Sequence, residues 1–144
     1  MTMTYMIVED EPDLYEMLTA MSSVLGVDEV AFATGEEAVT WIEEVEAGII
    51  REEMPVLALI DLRLPGDIDG VMVAERLRAS SLLKDIAVVL MTAYHLDADE
   101  EKSAIQRAKA DLLMYKPLPS FTELRDILRD IAQRRMNGKK RMRA

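Results

Sequence analysis

Three acidic residues in a row, Glu9, Asp10 and Glu11, follow the short apolar run 5–8 near the start of the chain. Neighbouring carboxylates repel one another, and burying them without a counter-charge would raise their pKa values. A hard divalent cation removes that repulsion, and Mg²⁺ takes oxygen ligands from one or two carboxylates together with water. The acidic run is therefore a candidate half of a cation site.

Three further reactive side chains end other apolar runs. Asp61 ends the run that begins at residue 56, Thr92 ends the run that begins at residue 86, and Lys116 ends the run that begins at residue 112. Asp61 could complete the cation site. A phosphoryl group held there would need a positive partner and a hydroxyl donor, which Lys116 and Thr92 could supply. A single acidic residue at a strand end is often only solvated, so the prediction rests on the whole set.

The elements that would position these side chains follow from the hydrophobic pattern. Brief apolar runs with little charge, typical of parallel strands buried on both faces, lie at 5–8, 30–33, 56–60, 86–91 and 112–115. A stretch with apolar residues at helical spacing follows each run. The pattern predicts five strand–helix units, and therefore a doubly wound α/β fold whose five-stranded parallel sheet carries helices on both faces.

Local signals agree with these boundaries. Residues 34–37 and 120–123 each have the pattern of a capping box that opens a helix. Pro12 suits the first turn of a helix, and Gly26 and Gly48 suit helix ends. Ligands of doubly wound sheets bind at the carboxyl ends of the strands. We therefore expect one edge of the sheet to bring together Glu9, Asp10, Asp61, Thr92 and Lys116.

Composition limits the classes of function. The 144 residues suit one domain, there is no cysteine for a disulfide or a thiolate metal site, and the net charge is −10. Residues 134–144 hold six basic residues and no acidic ones, which leaves −16 on residues 1–133. We expect a domain at 1–133 that does not bind nucleic acid, and a basic tail at 134–144 that is disordered or extends the last helix. No run is long enough to span a membrane and no signal peptide is evident, which predicts a cytoplasmic protein.

Five motifs occur in a specific order: IVEDEP at 7–12, ATGEEAV at 33–39, LALIDLRLPG at 57–66, VVLMTAY at 88–94 and LLMYKPL at 112–118. Together they resemble the receiver domain of two-component response regulators, which has a chemotaxis-regulator-like, flavodoxin-like fold. The resemblance covers about residues 3–133, and it implies a stand-alone receiver because only the basic tail follows.

The resemblance implies a function in phosphorelay signal transduction. A histidine kinase or phosphotransfer protein would donate a phosphoryl group to Asp61, and Lys116 and Thr92 would contact its oxygens. Mg²⁺ would be held by Glu9, Asp10, Asp61 and the backbone carbonyl of Arg63. The face of the fourth helix, fifth strand and fifth helix would then change, to bind an unidentified downstream protein or to form a homodimer. Such a chain is a signalling phosphoacceptor that slowly loses its phosphoryl group, rather than an enzyme.

Five positions near the site differ from the family pattern or modulate it. Many family members have an aromatic switch residue where this chain has Leu113, and Tyr94 and Tyr115 are the aromatic residues nearby. Arg63 could pair with the phosphoryl group or Glu9, or could lie in solvent. The peptide before Pro117 is cis in the family.

Two alternative functions stay open. A pseudo-receiver would signal by protein binding without phosphorylation, and the Leu113 departure keeps this alternative open. An aspartyl-nucleophile phosphatase of the haloacid dehalogenase-like family would need a second aspartate where Arg63 stands. The only histidine, His95, is interpreted as a loop residue near the site, so the phosphoryl group is expected to come from another chain.

Overall fold

The structure, a computed structural model, describes the backbone of residues 3–143 and the side chains of residues 3–138. Its strands form one parallel sheet in the order β2-β1-β3-β4-β5, and they are β1 Thr4–Val8, β2 Asp28–Phe32, β3 Leu57–Asp61, β4 Ala87–Thr92 and β5 Leu112–Tyr115. The helices that follow them in turn are α1 Pro12–Leu25, α2 Gly35–Glu46, α3 Gly70–Arg78, α4 Ala98–Ala108 and α5 Phe121–Arg143. The predicted doubly wound (βα)5 fold is confirmed.

The three central strands, β1, β3 and β4, are buried at every residue, because helices cover both faces of the sheet. Alternate side chains of each strand enter different halves of the core. On one face Met6 and Ile60 pack with residues of α2, α3 and α4, whereas on the other Ile7 and Leu59 pack with residues of α1 and α5. The strand β2 lies at an edge and is only partly buried, so charged residues can begin it.

Side-chain caps fix the starts of the helices. Glu11 caps α1 by accepting a hydrogen bond from the Leu14 N–H (3.1 Å), with Pro12 at the first helical position. The serine or threonine half of each predicted capping box is present, since Thr34 and Ser120 accept bonds from backbone N–H groups at the starts of α2 and α5. A complete capping box joins residues 97 and 100 at α4, where the sequence pattern had not predicted one.

Arg78, at the end of α3, joins three parts of the chain. Its guanidinium donates hydrogen bonds to the carbonyls of Lys84 (2.7 Å) and Ile86 (2.6 Å) before β4, and to those of Ala108 (3.2 Å) and Lys109 (2.7 Å) at the end of α4. Its side chain is almost fully buried. Burial lowers the pKa of Arg78, but the four carbonyls keep its donors satisfied.

The helix α5 runs to Arg143 and so includes nearly all of the basic segment 134–144. Arg135 forms an ion pair with Asp111 (2.9 Å), beside the start of β5, and Arg134 pairs with Asp130 one turn earlier (2.7 Å). Within residues 3–143, no helix is long and apolar enough to cross a membrane.

Candidate functional site

The carboxyl edge of the sheet brings predicted site residues from three strands into contact. Glu9 follows β1, Asp61 is the last residue of β3, and Lys116 follows β5. The Lys116 Nζ lies 2.7 Å from Glu9 Oε1 and 2.7 Å from Asp61 Oδ2, so one ammonium group bridges two carboxylates. These charge-assisted bonds join residues up to 107 positions apart in sequence. These three residues therefore meet at the carboxyl ends of the strands, as the sequence predicted.

Glu9 is fully buried, with 0% of its surface exposed. Its second oxygen accepts a bond from the Glu11 N–H (3.2 Å). Burial raises the pKa of Glu9 to about 7, and nearby Asp61 adds to the increase, while the bonds from Lys116 and Glu11 oppose it. Burial alone would lower the pKa of Lys116, but its bonds to Asp61 and Glu9 raise it overall, so Lys116 stays charged at neutral pH.

Asp61 is 5% exposed, and both of its carboxylate oxygens are held. Oδ1 accepts a hydrogen bond from the Arg63 N–H (3.0 Å), and Oδ2 accepts one from Lys116. Its backbone is equally confined, because a Cβ atom at Gly70, where α3 begins, would overlap the carbonyl oxygen of Asp61. The carboxylate is therefore presented in one fixed orientation.

Glu9, Asp10 and Asp61 form a cluster that could hold a cation. Each offers one carboxylate oxygen, and these three oxygens all lie within 4.8 Å of one another. Asp10 is exposed whereas the other two are buried, so the cluster opens to solvent on one side. Because a hard divalent cation prefers such oxygen donors and retains several waters, the donor set fits Mg²⁺.

Thr92 ends β4 beside the acidic cluster. Asp61 is paired with Met91 in the parallel register of β3 and β4, which places Thr92 one residue beyond the aspartate along the neighbouring strand. Thr92 is fully buried, and its Oγ1 accepts a hydrogen bond from the Tyr94 N–H (3.1 Å). Because that oxygen acts as an acceptor, the hydroxyl hydrogen is left to donate to a ligand.

The remaining predicted residues take positions that the sequence did not specify. The Arg63 guanidinium lies over the ring of Tyr94, 4.0 Å from its centroid, and Tyr94 is 52% exposed. Arg63 is exposed, which agrees with the interpretation that it lies in solvent, and this cation–π contact adds a partner that was not considered. Leu113 packs against the core on the α2–α4 side of the sheet. The Lys116–Pro117 peptide is cis.

Tyr115 makes contacts that no sequence pattern indicated. Its hydroxyl donates to Glu101 Oε2 on α4 (2.8 Å), and its ring stacks on that of His95, with centroids 6.2 Å apart. Both partners lie outside the predicted site. His95 is a loop residue, as interpreted, and Glu101 resembles the other acidic residues in the first turns of α4.

Comparisons with known proteins agree with this fold. The profile of the response regulator receiver domain matches residues 5–129. The chain is 32% identical over 126 residues to the DNA-binding response regulator MtrA of Mycolicibacterium smegmatis, covering 86% of this chain but 50% of MtrA. It is 29% identical over 125 residues to the polar-differentiation response regulator DivK of Brucella ovis, covering 85% and 93% of the two chains. The chain thus spans about half of MtrA and nearly all of DivK.

Solved structures extend the likeness. A CheY-like response regulator receiver domain protein from Methanospirillum hungatei superposes with a TM-score of 0.78 at 22% identity, covering 96% of this chain and 99% of that one, which supports the fold alone. The receiver domain of a sensor histidine kinase from Pseudomonas aeruginosa superposes with a TM-score of 0.74 at 25% identity, covering 92% and 99%. That structure has a magnesium ion coordinated in its active site cleft.

The chain is therefore a parallel (βα)5 protein whose carboxyl edge has three carboxylates, a lysine and a buried threonine. This chain belongs to the response regulator receiver domain family. Receiver domains of two-component systems act as signalling phosphoacceptors, and phosphorylation on an aspartate with Mg²⁺ is general among them.

Proposed function

We propose that this chain accepts a phosphoryl group on Asp61, with Mg²⁺ bound by Glu9, Asp10, Asp61 and the Arg63 carbonyl. The donor is a sensor histidine kinase or a histidine phosphotransfer protein, and the response is a change in the surface that binds a downstream protein. The proposal rests on the position of the Asp61 carboxylate. Its Oδ2 lies 2.7 Å from Lys116 Nζ, and the carboxylates of Glu9 and Asp10 lie beside it. A cytoplasmic location also remains a prediction.

The Asp61 carboxylate is suited to act as the nucleophile. An oxygen of Asp61 attacks the phosphorus of the donor, an O–P bond forms, and the P–N bond of the donor phosphohistidine breaks. The electron pair of that bond stays on the imidazole nitrogen, which takes up a proton. Because the Arg63 N–H and Lys116 both bind the carboxylate, its orientation requires no rearrangement before the attack.

Charge stabilisation comes from the residues around Asp61. The phosphoryl group passes through a loose transition state with charge spread over its three equatorial oxygens, so positioning and electrostatics dominate. Lys116 can follow that charge, since its Nζ already lies at the carboxylate, and the Thr92 hydroxyl can donate to one phosphoryl oxygen. When bound, Mg²⁺ supplies positive charge that offsets the carboxylates and the incoming phosphoryl group.

The test is the intact mass of the protein after incubation with acetyl phosphate, with and without Mg²⁺. We expect an adduct of one phosphoryl group that requires Mg²⁺ and is removed by hydroxylamine, which attacks acyl phosphates. Asp61→Asn should form no adduct, because an amide is not an adequate nucleophile. Asp67→Asn, which changes an exposed carboxylate in the following loop, is the matched control and should behave as the wild type.

Two results would contradict the proposal. An adduct that persists in Asp61→Asn would place the modification on another residue. The second is that no adduct forms with acetyl phosphate and none forms with a panel of phosphorylated phosphotransfer proteins. That result would favour the pseudo-receiver alternative, in which the chain signals by protein binding alone.

A further inference from the structure

Tyr115 lies between the proposed phosphorylation site and α4. It is the last residue of β5, the residue is 37% exposed, and its hydroxyl donates to Glu101 Oε2 at 2.8 Å. The ring of His95, from the loop before α4, stacks on the ring of Tyr115 with an interplanar angle of 27°. One side chain of the sheet thus contacts both the start of α4 and the loop that leads into it.

Apart from Leu96, which packs against the core just before the helix begins, the N-terminal half of α4 makes few buried contacts. None of residues 98–103 is buried, and Glu101, the residue that Tyr115 contacts, is the one of them that is partly covered. The buried residues of this helix are Ala104 and Ala108, in its second half. An ion pair between Arg107 and Glu75 of α3 (2.8 Å) also involves the second half. The bond to Tyr115 is therefore a substantial part of what attaches the first turns of α4 to the sheet.

Tyr115 is also directly connected to the site. The next residue is Lys116, whose Nζ bridges Asp61 and Glu9 and whose N–H donates to the carbonyl of Thr92 (2.8 Å). Tyr115 itself is the register partner of Thr92. Because Tyr115 and Lys116 share a peptide unit, a displacement of the lysine side chain and backbone changes the position from which the tyrosine reaches Glu101.

We propose that Tyr115 is a tether that relays the position of Lys116 to the first half of α4, and that phosphorylation of Asp61 loosens it. The inference rests on the proposed function. Phosphorylation of one Asp61 oxygen, which forms an acyl phosphate, removes the carboxylate charge from that atom and places new charge on the phosphoryl oxygens. Lys116 follows this charge, and the Tyr115–Glu101 bond loses its geometry.

The chemistry of the bond suits a reversible tether. The hydrogen bond to Glu101 raises the pKa of Tyr115, so the hydroxyl remains a donor at neutral pH. The bond is partly exposed, which allows water to replace either partner when the geometry changes. Leu113 cannot perform this role, because its side chain has no polar atom and packs against the core.

The experiment measures amide hydrogen exchange in α4 of the full chain, before and after phosphorylation by acetyl phosphate and Mg²⁺, with the adduct quantified by intact mass in the same samples. We expect phosphorylation to accelerate exchange at residues 101–105 of the wild type by about fivefold, the factor for losing one hydrogen bond of about 1 kcal/mol. Unphosphorylated Tyr115→Phe and Glu101→Ala should already exchange at this faster rate, and phosphorylation should not increase their exchange further.

Two variants act as controls. Glu101→Gln keeps an oxygen that can accept from the tyrosine, so it should retain a response to phosphorylation. Lys102→Ala changes the adjacent exposed residue of α4 and should respond as the wild type. The Asp61 adduct is quantified in all four variants, and exchange in α4 is compared at equal fractions of phosphorylated protein.

The outcomes separate the two proposals. A wild-type adduct with unchanged exchange in α4 would overturn the tether and leave the proposed function standing. So would a Tyr115→Phe or Glu101→Ala variant that responds to phosphorylation as the wild type does. The absence of any adduct in the wild type would overturn the proposed function and, with it, the relay.

Discussion

Replacing Glu9 with glutamine should change how the stability of this receiver domain depends on pH. Glu9 is fully buried, and its pKa is raised from 4.5 to about 7. Between these two values the native protein binds more protons than the unfolded chain, so the free energy of unfolding falls as pH rises. The destabilisation by ionised Glu9 is absent below pH 4.5 and complete above pH 7. The rise in its pKa from 4.5 to about 7 corresponds to a loss of about 3 kcal/mol in the free energy of unfolding.

The measurement is urea unfolding at a series of pH values from 5 to 8, with a chelator present so that bound cations do not contribute. The wild type should lose roughly 2 to 3 kcal/mol of its free energy of unfolding over that range. Glu9→Gln cannot titrate, so its profile should be flatter by that amount. Glu16→Gln, on the exposed surface of α1, should keep the wild-type slope.

The comparison isolates Glu9 from the other groups of the site. The pKa of Lys116 is raised above 10.5, so this residue titrates outside the range measured. Parallel profiles for the wild type and Glu9→Gln would refute the conclusion that burial of this carboxylate, opposed only in part by Lys116, sets its protonation.

Three further changes should have distinct effects. Gly70→Ala should lower the free energy of unfolding by about 3 kcal/mol in urea, because the new methyl group overlaps the Asp61 carbonyl. Arg78→Met should lower it by about 3 kcal/mol, since four carbonyls lose their donor. Asp10→Asn should weaken Mg²⁺ binding by about tenfold in calorimetric titration, because ligand charge sets affinity for hard cations.

Each of these changes has a matched control. Gly138→Ala in α5, where an added Cβ has open space, should instead stabilise the protein by up to about 1 kcal/mol. Arg125→Met removes a partly exposed arginine and should alter the unfolding free energy by less than about 1 kcal/mol. Asp13→Asn should leave Mg²⁺ affinity nearly unchanged. Equal effects in a variant and its control would contradict the contact assigned to that residue.

The sheet and the ends of its strands could be predicted because burial on both faces leaves a strong sequence signal. Runs such as 56–60 contain only apolar residues, and the polar residues that follow the runs 5–8, 56–60, 86–91 and 112–115 mark the candidate site. The edge strand β2 was predicted less well. Its prediction began at Val30, whereas β2 begins at Asp28, because an edge strand exposes residues that a buried strand cannot.

The contacts between loops and helices could not be predicted. Arg63 meets Tyr94 from a different loop, and Tyr115 meets Glu101 from a different element. Such contacts depend on the path of each loop and on the rotation of α4 about its axis, which hydrophobic spacing determines only loosely in a helix with two buried alanines. The side chains at strand ends were placed by topology, whereas these partners were placed by local geometry.

The close approach of Gly70 to Asp61 divides the carboxyl edge into two mechanically different halves. On one side the backbone of Asp61 packs closely against the start of α3. The backbone of the next residue, Leu62, is hydrogen-bonded to both β4 and α3. On the other side, Tyr94 in the loop after β4 and Tyr115 at the end of β5 are exposed, and Tyr115 is hydrogen-bonded to Glu101 of α4. If Asp61 is phosphorylated as proposed, we expect the resulting structural change to be smaller at the start of α3 than at α4.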